Sequence, residues 1–88
     1  MDARGIVGWN LRRLRVERGL SQERLAFAAG IDRAYVGRVE RGSENVTIAT
    51  LEAMALALSV PVAALFLEPE PGAERPRPLR AGRRAKAG

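Results

Sequence analysis

Three arginines in the stretch GIDRAYVGRVERG (30–42) are the residues whose types and spacing best suit ligand binding. If the stretch is a helix, Arg33, Arg38 and Arg41 fall on one half of its circumference, together with Ala34 and Gly37. The other half holds two valines, a tyrosine and a glutamate. Guanidinium groups pair with guanine edges and with phosphates, so this helix face is a candidate surface for an anionic partner.

Gly37 lowers the stability of such a helix by about 1 kcal/mol relative to alanine, so its presence asks for a compensating use. One interpretation is that small residues between arginines let the helix backbone enter a groove of the partner. The alternative is that Gly37 is a neutral substitution on an exposed face. The arginines leave a similar choice open, because solvated basic faces are common.

The composition excludes several kinds of chemistry. The chain of 88 residues contains neither cysteine nor histidine, which removes disulfides, zinc fingers, and thiolate or imidazole catalysis. It also lacks a GxxxxGK[ST] phosphate loop and acidic pairs spaced for a metal ion. We therefore expect a protein that is not an enzyme and that binds no metal and no cofactor.

A formal net charge of +5 and a pI near 11.2 favour nucleic acid or an acidic membrane surface as the partner. A GC-rich genome would also explain why arginine exceeds lysine. The longest apolar run, residues 53–67, is interrupted by Ser59 and Pro61 and is shorter than the ~20 residues of a membrane-spanning helix. Residues 1–10 lack the features of a signal peptide, so we expect a cytoplasmic protein without membrane attachment.

Apolar periodicity and capping residues predict five short helices and no strand. The predicted helices are residues 6–18, 22–29, 32–41, 48–58 and 61–67. The predicted N-caps are Ser21, Asp32 and Thr47, the predicted helix-ending glycines are Gly19, Gly30 and Gly42, and Pro61 is the predicted first residue of the last helix. Residues 1–67 therefore form a single all-α domain.

Residues 68–88 differ from the rest of the chain in composition. They hold four of the five prolines, six basic and three acidic residues, and Leu79 as the one large apolar side chain. Such a segment cannot bury enough apolar surface to offset the entropy of ordering it, so we predict a disordered basic tail. Its basic groups either add phosphate contacts or form a solvated extension.

Three segments of residues 1–67 together resemble the helix-turn-helix DNA-binding domain of phage repressors and Cro proteins. They are NLRRLRVERGLSQERLA (10–26), GIDRAYVGRVERG (30–42) and VTIATLEAMALALSVPVAALF (46–66). A capped helix, a glycine-containing turn and a second helix with a basic outer face are the arrangement of this motif. Within the family, the chain is most similar to short regulators such as restriction-modification controller proteins.

The resemblance implies a compact five-helix domain that binds double-stranded DNA in a sequence-specific manner and regulates transcription. Helix 32–41 would then enter the major groove. From the matching positions, Arg33, Ala34 and Arg38 are expected to contact bases, and Gly37 would allow the close approach of the helix.

The same resemblance implies contacts with the DNA backbone. Gln22, at the start of the second helix, is expected to contact a phosphate and to brace the base-contacting side chains. Further phosphate contacts are expected from Tyr35, Arg41, Ser43, Asn45 and Thr47. An equal alternative for the polar residues of the turn is that they only cap helices or form the turn.

An ion pair between Arg15, late in the first helix, and Glu40, near the end of the third, is also implied by the resemblance. Glu40 lies toward the inner side of its helix, which agrees with a partly buried pair. We expect this pair to fix the two helices relative to each other.

Two departures from the family pattern lie in the fourth helix and after it: Leu56 stands where a charged residue is usual, and Ser59 where a glycine is usual. With Val62, Ala63 and Phe66, Leu56 would form an apolar strip and a two-fold homodimer. Such a dimer places two recognition helices about 34 Å apart on a pseudo-palindromic operator. The alternative is that Leu56 covers the root of the tail and the other residues belong to the core.

The main prediction is thus a dimeric repressor. A second hypothesis is an antitoxin-like component that binds its operator and also a partner protein. The tail would then have to hold the partner, and it is poor in apolar anchors. We expect no small-molecule ligand, because so short a chain leaves no room for a separate ligand-binding domain.

Overall fold

A computed structural model of the chain describes residues 1–73, which form four α-helices followed by one 3-10 helix. Their bounds are α1 Ala3–Glu17, α2 Gln22–Ala29, α3 Arg33–Glu40, α4 Ile48–Leu58 and the 3-10 helix Val62–Phe66. No strand occurs in this part of the chain, which confirms the all-α prediction. The disorder predicted for the tail falls mostly on residues 74–88 and lies outside the described residues.

The capping residues set the first residues of three helices. Ser21 Oγ accepts a hydrogen bond from Arg24 N at 3.0 Å, and Thr47 Oγ1 accepts one from Thr50 N at 3.1 Å, so α2 and α4 begin where the sequence predicted. The first helix starts three residues before the predicted Ile6, because Asp2 Oδ1 accepts a hydrogen bond from Gly5 N at 2.9 Å.

Two predictions about helix ends need correction. Asp32 occupies the N-cap position of α3, but its side chain makes no capping hydrogen bond. The last predicted helix, 61–67, is a 3-10 helix of five residues, and Pro61 precedes it instead of being its first residue. Ala64 N donates to Pro61 O at 2.9 Å, an i to i+3 bond, and the carbonyl oxygens of Leu65 and Leu67 bind Asn10 of α1 instead of a further helical turn.

All four α-helices end in the same way, with one residue in the left-handed conformation. These residues are Gly19, Gly30, Gly42 and Ser59, with φ of 69°, 71°, 76° and 58°. In each case the following N–H turns back to a helix carbonyl five residues earlier: Leu20 to Arg15, Ile31 to Ala26, Ser43 to Arg38 and Val60 to Ala55. This Schellman-type ending reverses the chain within a few residues, so the helices pack closely together.

The core lies between the helices and centres on fully buried aliphatic side chains of every element. α4 packs against α2 and the 3-10 helix, and α1 packs against α3 and the 3-10 helix. The core residues are Val7, Leu11, Leu14, Leu25, Ala26, Val36, Val39, Leu51, Met54, Ala55, Leu58 and Leu65. None of the helices in residues 1–73 has the length and apolar character needed to cross a membrane.

Two residues of α1 hold the domain together in ways that apolar periodicity does not indicate. A Cβ at Gly8 would overlap the carbonyl oxygen of Val39 and lie 2.8 Å from that of Glu40, so glycine lets α1 cross directly against α3. Asn10 is fully buried, and its Nδ2 donates to the carbonyl oxygens of Leu65 at 3.1 Å and Leu67 at 2.7 Å. The 3-10 helix is thereby attached to α1 by polar contacts as well as by Leu65.

Replacing Ser59 with glycine should stabilise the domain, because serine at a φ of 58° carries a strain that glycine does not. We expect the free energy of unfolding to rise by about 0.5–1 kcal/mol, since the greater freedom of unfolded glycine offsets part of the gain. Urea denaturation of Ser59→Gly and of the wild-type chain measures this change in the free energy of unfolding. The reverse exchange, Gly19→Ser, is the matched control: an added Cβ there meets nothing within 4 Å, so its expected loss of stability reports backbone strain alone. Two unchanged midpoints would contradict the argument.

Candidate nucleic-acid interface

The outer face of α3 presents the side chains that the sequence singled out. Arg33, Ala34, Arg38 and Arg41 are exposed, and Tyr35 is half-buried. The left-handed Gly30 ends α2 and lets α3 begin three residues later, so the first turn of α2 lies beside the outer face of α3. The result is a convex ridge with three arginines, supported from behind by Val36 and Val39 in the core.

A buried ion pair holds α3 against α1. Arg15 Nε lies 2.6 Å from Glu40 Oε2 and Arg15 Nη2 lies 3.1 Å from Glu40 Oε1, so guanidinium and carboxylate face each other through two parallel hydrogen bonds. Only 4% of the Arg15 side chain and 3% of the Glu40 side chain are exposed. Arg15 Nη1 donates to the carbonyl oxygen of Leu20 at 2.9 Å, which also ties down the segment before α2.

Gln22 connects the second helix to this pair. Its Nε2 donates to Glu40 Oε1 at 3.0 Å, so one carboxylate joins the ends of α1 and α3 to the first residue of α2. The structure therefore places Gln22 at the edge of the arginine face with its amide nitrogen already bound. Because the amide oxygen makes no hydrogen bond within residues 1–73, it remains available as an acceptor there.

Gly37 is buried instead of open, contrary to its expected place on an exposed face. A Cβ built on it would lie 3.4 Å from Arg41 Nη1 and 3.9 Å from both polar atoms of the Gln22 amide. The side chain of Gln22 reaches this position from the first turn of α2, and that of Arg41 from the end of α3. These are ordinary van der Waals distances, so an alanine would fit at residue 37, whereas a larger side chain would displace Gln22 or Arg41.

Arg38 already has two partners in the free protein. Its Nε donates to Glu44 Oε1 at 2.8 Å, and its guanidinium carbon lies 5.6 Å from the centre of the Tyr35 ring. The hydrogen bond to Glu44, aided by the nearby negative charge of Asp32, raises the pKa of Arg38 above its ordinary value. Glu44 lies beside the arginine face, and the sequence patterns do not single it out. The signal that could have found it is an acid six residues after Arg38, with a helix-ending glycine, Gly42, between the two.

The turn between α3 and α4 exposes the polar groups expected to contact phosphates. Ser43, Asn45 and Thr47 are all exposed. Two of them have structural roles, since Ser43 Oγ donates to the carbonyl oxygen of Arg38 at 3.1 Å and Thr47 caps α4. The hydroxyl of Thr47 also donates to Thr50 Oγ1 at 3.0 Å, which leaves Asn45 as the member of the set without a hydrogen bond among the described residues.

An apolar surface lies on α4 and the 3-10 helix. Of the residues predicted for a dimer interface, Leu56 is 80% exposed, Phe66 is 46% exposed, and Ala63 is exposed too. Val62 differs from these three, because it is half-buried and packs against the core. Ile48, 69% exposed and eight residues before Leu56, is a further exposed apolar side chain of α4 that was not predicted, and the exposed Glu52 lies between the two.

Comparison with known proteins relates the chain to regulators of transcription. A family model described as Helix-turn-helix matches residues 11–65. A hypothetical transcription factor of Neisseria meningitidis is 44% identical over 69 residues, which are 78% of this chain and 65% of that protein's length. Control protein C.SmaI of Serratia marcescens is 45% identical over 66 residues, 75% of this chain and 79% of that protein.

A solved structure agrees with these matches. The crystal structure of the restriction-modification controller protein C.AhdI from Aeromonas hydrophila superposes with a TM-score of 0.70 at 48% identity. The match covers 72% of this chain and 96% of that one. The similarity therefore includes the helices that form the arginine face.

Removing the charge of Glu40 should destabilise the fold strongly, because Arg15 would remain buried without a counter-charge. We expect Glu40→Gln to lower the free energy of unfolding by about 3 kcal/mol or more, measured by urea denaturation. Glu17→Gln is the matched control, since Glu17 pairs with Arg13 in an exposed i to i+4 bridge and its loss should matter little. Equal small losses in the two variants would show that the buried pair does not hold α3.

Proposed function

The chain belongs to the helix-turn-helix family of transcription regulators, and from this premise we propose that it binds double-stranded DNA in a sequence-specific manner, with α3 in the major groove. The observation that carries the proposal is the exposed arginine face of α3, held in one orientation by the buried Arg15–Glu40 pair. A B-DNA major groove is wide enough to admit such a helix. Bound near a promoter, the protein would act as a repressor without any chemistry of its own.

Base contacts are proposed for Arg33, Ala34 and Arg38. The two arginines can form bidentate hydrogen bonds with guanine, and the methyl group of Ala34 can contact that of thymine. All three side chains are exposed on the same ridge, which supports this assignment. Gly37 would contribute indirectly, because Gln22 and Arg41 occupy the space that a larger side chain would fill.

Phosphate contacts are proposed on both sides of the ridge. On one side, Gln22 and the first turn of α2 would approach a DNA strand, with Arg41 beside them. On the other side, Tyr35, next to Arg38, would approach the opposite strand together with Ser43, Asn45 and the N-terminus of α4 after Thr47, since free N–H groups at a helix start favour anions. These groups would set the position of α3 in the groove while its arginines discriminate bases.

A homodimer is proposed to form through the apolar surface of Leu56, Ala63 and Phe66, extended by Ile48. Ile48 and Phe66 line a shared groove, and this number of exposed apolar side chains on a small domain favours an interaction site. A single α3 contacts only a few base pairs, whereas two copies related by a two-fold axis bind a pseudo-palindromic operator about one helical turn apart. Dimerisation would also make operator occupancy depend on protein concentration.

Loss of a base-contacting arginine should alter sequence preference as well as affinity. Duplexes selected from a random pool by the wild-type chain provide the operator. For Arg33→Ala and Arg38→Ala, we expect operator binding to weaken by about 1–3 kcal/mol each, with relaxed preference at one base position. Arg18→Ala removes another exposed charge, outside the ridge, and should leave the preference intact. If Arg38→Ala weakens binding equally for every sequence, Arg38 contacts phosphate.

Introducing a charge on the apolar surface should separate the subunits. We expect Leu56→Glu to raise the dimer dissociation constant by about tenfold or more in sedimentation equilibrium, with a parallel loss of binding to the palindromic site. Phe27→Glu is the comparison variant, because Phe27 is 88% exposed on α2 and not on α4 or the 3-10 helix. A Leu56→Glu chain that remains as dimeric as the wild type would place the interface elsewhere.

A further inference from the structure

Glu44 is an acidic residue in a turn otherwise suited to bind phosphate. It lies between Ser43 and Asn45, and it is the one acid in the segment 41–47 that joins α3 to α4. A carboxylate beside DNA phosphates is electrostatically unfavourable, so a carboxylate at residue 44 needs a specific contact to explain it. That contact is the 2.8 Å hydrogen bond from Arg38 Nε to Glu44 Oε1.

The geometry of this contact leaves the far end of the guanidinium free. Glu44 engages Nε, whereas no hydrogen bond among the described residues involves Nη1 or Nη2 of Arg38. The guanidinium carbon also lies 5.6 Å from the centre of the Tyr35 ring, within cation–π range. Bonded at Nε and placed over this ring, the guanidinium has a restricted orientation, and its two terminal nitrogens remain as a paired donor.

We propose that Glu44 is a positioning residue that directs Arg38 toward a guanine and keeps it away from the phosphates, an inference that rests on the proposed function. An arginine without such a partner is long and flexible enough to swing to the nearest phosphate, where it would bind every sequence alike. Glu44 opposes that swing twice, because it attracts the guanidinium to its own side and repels phosphate from it. The carboxylate thus lowers binding to random DNA and sharpens the choice of operator.

The arrangement does not require the pair to stabilise the fold. The side chains of Arg38 and Glu44 are 44% and 26% exposed, and ion pairs with this much exposure contribute little to stability. Glu44→Gln should therefore keep the thermal unfolding midpoint of the wild type. This separates its effect on DNA binding from any effect on the domain.

The test compares Glu44→Gln with the wild-type chain by fluorescence anisotropy on three duplexes: the selected operator, the operator with the Arg38-dependent base pair changed, and a random sequence. We expect the affinity ratio between the first two to fall about tenfold, while affinity for the random duplex rises. The slope of log K against log salt on the random duplex should steepen by about 0.9, because Arg38 gains a phosphate.

Two further variants make the result specific. In the Arg38→Ala background, Glu44→Gln should leave the affinity ratio unchanged, because no guanidinium remains to be positioned. Glu17→Gln removes the carboxylate of another exposed arginine pair, on α1, and should alter neither the ratio nor the salt slope.

Contrary outcomes are distinct. If Glu44→Gln raises affinity for all three duplexes by the same factor, Glu44 only repels phosphate and the inference is wrong. If nothing changes, the pair has no role on DNA and the inference is wrong as well. A wild-type chain that selects no duplex at all overturns the proposed function itself, which the selection step reveals before any variant is made.

Discussion

The contact on which the orientation of α3 depends is the buried ion pair between Arg15 and Glu40. Burial of two charges is costly, and the fold offsets this cost by satisfying nearly every polar atom involved. Glu40 accepts from both Arg15 and Gln22, and the remaining nitrogen of Arg15 bonds the carbonyl oxygen of Leu20. Since such a pair contributes little more stability than well-packed apolar residues would, its main effect is geometric. Two parallel hydrogen bonds restrict the relative rotation of α1 and α3.

The other residues of the domain contribute through apolar packing and through the distribution of charge. Aliphatic side chains fill the space between the helices. Because Gly8 has no side chain, its backbone can pack directly against the backbone carbonyls of Val39 and Glu40 in α3. On the other side of α3, the arginines stay at the surface because an unpaired guanidinium is costly to bury. Glu40 is buried against Arg15, so the charged side chains that α3 exposes are all basic.

Local signals made much of the fold predictable. The bounds of α2 and α4 follow from Ser21 and Thr47 at their starts, and Gly30 marks the end of α2, because caps and left-handed glycines act through neighbouring residues alone. Apolar periodicity does not predict the early start of α1, because Ala3, Arg4 and Gly5 do not continue the pattern of apolar residues. Nor does it predict the 3-10 helix, since tertiary contacts with Asn10 decide between it and an α-helical turn.

The sequence predicts most residues of the candidate site, but it does not predict how their side chains contact one another. A helical wheel places Gly37 and the arginines on one side, but it treats α3 as an isolated rod. It therefore misses the Gln22 side chain that arrives from α2, and it cannot place Glu44, which returns to Arg38 only after the chain has turned at Gly42. Contacts of this kind depend on chain reversal, and residue spacing within one helix carries no information about them.

The aromatic residues of the chain have a practical consequence. Its single tryptophan and single tyrosine each lie next to an arginine, Trp9 with Arg13 on α1 at 5.7 Å and Tyr35 with Arg38 on α3 at 5.6 Å. The two chromophores therefore sit on different surfaces, one in the scaffold and one in the arginine ridge. Tryptophan absorbs at longer wavelengths than tyrosine, so excitation at the long-wavelength edge selects Trp9 alone. Its emission then reports on α1 without any added label.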